Sequence, residues 1–155
     1  MMSLLRSLIG FGDLILQICR ADGAEHEFAI GLVRKGEREF AEILLKTVEE
    51  KGVEAAVKQY RELRAAQPEA YDYSEEQLNY LGYHLIGMGR IKDAIGILKL
   101  NAEAYPQSSN VYDSLGEAYL DDGDKELAIE NYEKSLQLDP KNRGAIEKLK
   151  QLKAH

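Results

Sequence analysis

Residues 75–108 and 109–142 carry the same letters at the same places when they are set 34 residues apart. Leu81 falls on Leu115, Gly82 on Gly116, Gly89 on Gly123, Ala94 on Ala128, Ile95 on Ile129 and Pro106 on Pro140. Similar pairs fill the gaps: Leu78 with Tyr112, Leu85 with Tyr119 and Leu98 with Tyr132. A repeat of this length is one supersecondary unit that cannot bury its apolar face alone. Stacking on a copy of itself is therefore built into the sequence, and most closed single-core folds are excluded.

Each repeated position has a physical task. Leu78, Leu81 and Leu85 recur at three and four residues, which is one apolar stripe on a helix. Gly82 and Gly116 sit inside such stripes, where glycine is worse than alanine by about 1 kcal/mol. That loss makes sense where a neighbouring helix passes too close for a side chain. Gly89 and Gly123 supply the turn after the first helix, and Ala94 and Ala128 mark a close contact on the second. Pro106 and Pro140 end each unit. Helix starts are expected at Ser74, paired with Gln77 in a capping box, in "QSSN" before Val111, at Asp124 and at Asn142. Ala, Leu, Glu and Lys dominate, with three prolines in 155 residues, a balance that favours helix.

Upstream, "EREFAEILLKTVEEKGVEAAVKQYRELRAAQP" reads as a worn copy. Its stripe is Phe40, Ile43, Leu44 and Val48, Gly52 is its turn, and Ala56 with Tyr60 matches Ala94 with Leu98. The spacing is longer, and the "EAYDYS" segment is where a longer loop would absorb it. Downstream, Ala145, Ile146, Leu149 and Leu152 give an amphipathic helix suited to capping a repeat array. The expected organisation is a helical N-terminal segment over 1–36, a degenerate unit over 37–74, units over 75–108 and 109–142, and a cap over 143–155.

These residues resemble the tetratricopeptide repeat family: Tyr112, Leu115, Gly116, Tyr119, Gly123, Ala128, Tyr132 and Pro140 in one unit, and their counterparts from Leu78 to Pro106 in the other. The usual small residue in the second helix is Ser135 in the later unit and Asn101, a departure, in the earlier one. The resemblance implies an all-α solenoid of helical hairpins with a concave groove lined by the first helix of each unit. Carried over residue by residue, the implied binding positions are Asn79, Tyr83 and Ile86, then Asn110, Asp113, Glu117 and Asp121. The run from Leu78 to Asn142 also has a looser resemblance to the repeat extension at the C-terminus of some bacterial serine hydrolases of the penicillin-recognising type. That likeness implies an accessory module working beside an enzyme.

Charge narrows the partner. The formal net charge is −7, and residues 109–142 hold nine acids against three bases. A nucleic-acid partner needs clustered Lys and Arg, so none is expected. The family's chaperone-tail clamp needs bases in the groove to hold a terminal carboxylate. Acids stand there instead, which points to a basic or amphipathic peptide or a partner helix. The apolar start is broken by Asp13, falls short of the roughly 20 residues of a membrane span and lacks a cleavage pattern. No membrane role is expected, and the helix carrying Leu4, Leu8, Phe11, Ile15 and Ile18 offers a route to self-association. Cys19 is the lone cysteine, which fits a reduced cytoplasmic setting.

Enzymatic motifs fail on inspection. "DSLG" around Ser114 lacks the first glycine of a nucleophile elbow and falls on a helical stripe. No serine has Lys three residues on. "GLVRKGE", Gly31 to Glu37, has Glu where a phosphate loop needs Lys then Ser or Thr. His26, His84, His155 and Cys19 show no metal-ligand spacing, and "DDGD" is no calcium loop. A non-enzymatic interaction module without cofactor is the expectation.

Overall fold

The computed structural model describes residues 39–154. The helix expected over the apolar N-terminal segment, Cys19, His26, the "GLVRKGE" segment and His155 lie outside the described residues. Within them are seven helices and no strands: α1 (Glu39–Lys51), α2 (Val53–Ala66), α3 (Glu75–Gly87), α4 (Ile91–Ala104), α5 (Ser109–Asp121), α6 (Lys125–Leu138) and α7 (Arg143–Lys153). None of them is long and apolar enough to cross a membrane. Helices α1 and α2, α3 and α4, and α5 and α6 pair as hairpins; α1 packs on α3, α2 on α4, α3 and α4 on α5, and α7 on α6. This is an α-solenoid of tetratricopeptide-type hairpins.

The two kinds of glycine act differently. Gly89 and Gly123 have φ of 73° and 84°, a left-handed conformation that other residues reach only with strain. Around them Arg90 N–H bonds to Leu85 O (2.9 Å) and Gly89 N–H to Ile86 O (2.8 Å), with the same pair of bonds from Asp124 to Tyr119 and from Gly123 to Leu120. These close the helix ends and reverse the chain. Gly82 and Gly116 are there for proximity. A Cβ on Gly82 would lie 2.6 Å from Leu98 Cδ2, and one on Gly116 would lie 3.1 Å from the Tyr132 ring.

Details of the stripes differ from expectation. In α5 the buried residues are Val111, Ser114, Leu115, Gly116, Ala118 and Tyr119. Tyr112 is only half-buried, with its ring under the Lys134 ammonium, because Val111 takes the core-facing position. In α1 the buried set is Phe40, Ala41, Leu44 and Val48, with Ile43 turned partly outward. Ala41, Leu44 and Val48 thus stand where Leu78, Leu81 and Leu85 stand, and Gly52 (φ 88°) where Gly89 stands. Leu45 then occupies the place of Gly82, so the first hairpin lacks the glycine contact. The long loop before α3 is filled rather than open. Tyr73 meets Phe40 edge-on at 4.7 Å, and Tyr71 lies 5.2 Å from the same ring.

The expected capping box at Ser74 does not form. Ser74 makes no side-chain cap bond. Its hydroxyl donates to Asp72 (3.0 Å), and Gln77 Nε2 donates to the same carboxylate (3.2 Å). The Ser74 N–H, from which the Gln77 side chain would accept, is taken instead by Asp72 Oδ1 at 2.9 Å, a carboxylate being the stronger acceptor. Ser108 likewise precedes α5 without a side-chain bond. Asp124 and Asn142 do cap, accepting from Leu127 N (3.0 Å) and Ala145 N (3.2 Å).

Candidate functional site on the first helices

The seven positions implied by the resemblance lie on α3 and α5, and most of them are tied across helices. Asn110 is exposed, and its amide donates to Glu75 Oε1 on α3 at 2.7 Å. Tyr83 donates its hydroxyl to Glu117 Oε2 at 2.8 Å and lies 3.3 Å from Ser114 Oγ. Asp113 accepts from Asn142 Nδ2 at 3.1 Å, and Asn142 also reaches Ser135 Oγ at 3.0 Å. Asn79 accepts from the buried Asn101 Nδ2 at 3.2 Å. Ile86 is half-buried and packs against both core clusters. Asp121 is exposed at the end of α5.

Repeat geometry explains the pattern. Residues 113, 117 and 121 are one helical turn apart and share a face of α5. The Tyr83 side chain reaches the next hairpin because Ser114, its neighbour there, is small and buried. Burial, then the Glu117 charge, pushes the Tyr83 phenol well above its ordinary pKa. The Asp121 carboxyl is raised by partial burial and by repulsion from Glu117, while Lys148 of α7 pulls it back down.

Sequence reasoning missed several contributors. Asn101, the departure from the family pattern, is fully buried and holds the start of α3 by donating to Glu75 O at 3.0 Å. Lys148, on the basic last helix, contributes a positive charge that is felt at Asp121. Tyr132 packs its ring against Gly116 of α5, and its phenol is raised by burial and then by Glu117, Asp113 and Asp121. His84 is half-buried and stacks on the exposed Tyr80 ring at 6.0 Å. Among the described residues no group of three or more His, Cys, Asp or Glu side chains converges to hold a metal ion. One surface depression is lined by Tyr60, Arg61, Arg64, Leu100 and Glu103, another by Val53, Lys92, Ile95, Lys99 and Tyr119; none of the seven positions lines either.

Comparison with known proteins agrees with the architecture. Residues 109–142 match the profile of the tetratricopeptide repeat family. The first such domain of human RPAP3 superposes with a TM-score of 0.52 at 19% identity, covering 74% of this chain and 87% of that one. The first such domain of Spaghetti (RPAP3), solved with the HSP90 peptide SRMEEVD, gives a TM-score of 0.52 at 18% identity over 80% and 97% of the two chains. The second human RPAP3 domain, in complex with the HSP70 peptide SGPTIEEVD, gives 0.53 at 17% over 76% and 95%. No curated protein matches the chain in sequence.

Proposed function

We propose that this chain is a non-enzymatic protein-interaction module that binds a basic or amphipathic peptide, or a partner helix, along the face formed by Asn79, Tyr83, Ile86, Asn110, Asp113, Glu117 and Asp121. The observation that carries the reading is the row Asp113, Glu117 and Asp121, which share one face of α5, with Glu117 braced by Tyr83 and Asp113 by Asn142. Side chains held by cross-helix bonds lose little further freedom on binding, which favours recognition. The peptides SRMEEVD and SGPTIEEVD seen on the RPAP3 domains are rich in acids. An acidic row would repel such tails and attract cations. Ser114 is read as a packing residue, since it is buried with its hydroxyl beside that of Tyr83.

The test is affinity capture from a host lysate with the wild-type chain and with the double variant Asp113→Lys, Glu117→Lys. Partners should be lost from the variant, and wild-type capture should weaken between low and physiological salt. The same partners retained by both proteins would refute the assignment of this face.

A further inference from the structure

Gly82, Gly96 and Gly116 each have a neighbouring side chain seated on them. A Cβ would meet Leu98 at 2.6 Å, Val53 at 2.6 Å and the Tyr132 ring at 3.1 Å. Gly87, in the last turn of α3, is different. A Cβ there would meet nothing within 4 Å, and its φ is not positive. Neither packing nor backbone conformation asks for glycine at this position, and helix propensity disfavours it. The residue is exposed, so bare helix backbone faces outward.

The surroundings of Gly87 are apolar. Tyr80, Tyr83, His84 and Gly87 fall at i, i+3, i+4 and i+7, which is one face of α3. Tyr80 (42%) and Met88 (46%) are the exposed large hydrophobic residues among those described, and Met88 follows His84 by one turn. The His84 ring stacks on Tyr80 at 6.0 Å and 20°. This face runs beside the acidic row of α5, joined to it by the Tyr83–Glu117 bond (2.8 Å) and by the Asn110–Glu75 bond (2.7 Å). A single exposed apolar side chain is ordinary. An aromatic, a methionine and bare backbone grouped next to carboxylates are not.

We propose that Tyr80, His84, Gly87 and Met88 seat the apolar side of an amphipathic partner helix, whose Lys or Arg side lies along Glu117 and Asp121 of α5. The inference rests on the reading of the acidic face as a partner-binding surface. Two observations choose this occupant. The seat adjoins carboxylates, so the neighbouring side of the partner is cationic. Each packed glycine above receives an apolar or aromatic side chain from an adjacent helix, and Gly87 offers the same seat with no described residue upon it. An amphipathic helix in a groove is held by anchors at just this spacing, and a methionine adapts to what it meets.

The full chain is titrated with an end-blocked peptide of leucine and lysine, patterned so that its leucines form one helical face, and with a scrambled peptide of the same composition. Amide chemical shifts are the readout. The patterned peptide should move the signals of Tyr80, His84, Gly87 and Met88 together with those of Glu117 and Asp121. It should bind about tenfold tighter than the scrambled one, and Tyr80→Ala should remove about that much. Gly87→Ala should weaken binding about threefold or more by filling the seat, while thermal unfolding shows the variant at least as stable as wild type. An unspecific apolar surface would bind as well or better with a methyl added. Gly87→Ala binding the patterned peptide like wild type, or equal binding of the scrambled peptide, would overturn the seat. Without peptide, line broadening at Tyr80 and Gly87 by a nitroxide on Cys19 would give the seat to this chain or to a second copy, and overturn the external partner. Partner capture that survives Tyr80→Ala and Gly87→Ala, but not Asp113→Lys with Glu117→Lys, would sink the seat and spare the wider reading.

Discussion

Tyr83 and Glu117 stand 34 residues apart in sequence and 2.8 Å apart in space, the tyrosine hydroxyl donating to the carboxylate. They occupy the same position in successive hairpins, so the bond joins one repeat to the next at the level of the first helices. An exposed acid would gain little from such a contact. Here the donor is largely buried, and the bond fixes the direction of Glu117.

Tyr83→Phe removes only that hydroxyl. It should lower stability by about 1.5–3 kcal/mol, the range for a hydrogen bond to a charged acceptor. Urea unfolding of the two proteins measures it, and Glu117→Gln, which keeps an acceptor in place, should lose less.

Gly82→Ala puts a Cβ 2.6 Å from Leu98 Cδ2 and 2.7 Å from its Cγ. The branch carbon cannot swing away without moving the leucine, so the variant should lose about 1–3 kcal/mol despite the better helix propensity of alanine. Gly116→Ala meets the Tyr132 ring at 3.1 Å and should lose less. In a Leu98→Ala background the loss at Gly82 should largely vanish, and a double-mutant cycle reads the coupling.

Asn142 caps α7 through Ala145 N and links Asp113 to Ser135. Asn142→Ala should lower stability by about 1–2 kcal/mol. Hydrogen exchange should accelerate through the first turn of α7 before it does in α5.

Asp121 gives a pH dependence of defined sign. Its carboxyl is raised in the folded chain by partial burial and then by Glu117. The folded state holds its proton at pH values where the unfolded chain has released it. The resulting penalty is therefore present at neutral pH and fades as pH falls through the folded pKa toward the unfolded one. Asp121→Asn should be more stable than wild type near neutrality, by a margin that closes in acid. Thermal unfolding across that range checks it, and a constant margin would argue against the assignment.

The hairpins were legible because their constraints are steric and repeat in the sequence. Gly82 with Leu98, Gly116 with Tyr132, and the turns at Gly89 and Gly123 each leave a letter that few alternatives explain. Polar pairings were harder to read. Ser74 and Gln77 carry the letters of a capping box, yet Asp72 takes the Ser74 N–H and holds both side chains to itself. Tyr112 looked like a core residue because it aligns with Leu78, but Val111, one step back on the helix, fills the core. The acidic row was visible as a run of letters. That Tyr83 and Asn142 brace it, and that the charge of Lys148 on the last helix is felt at Asp121, depends on which helices meet. No spacing within one helix encodes that.

Leu45, in the place where the later hairpins have glycine, has a consequence for the order in which the array comes apart. In α3–α4 and α5–α6 a side chain is seated on bare backbone, so separating those helices opens a void before water can enter. The contact between α1 and α2 is made by side chain against side chain, which yields more gradually. Solenoids break at their weakest interface and not all at once. Among the described hairpins, α1 is then expected to part from α2 first, while Val53 of α2 stays seated on Gly96 of α4 and the acidic face of α5 remains intact.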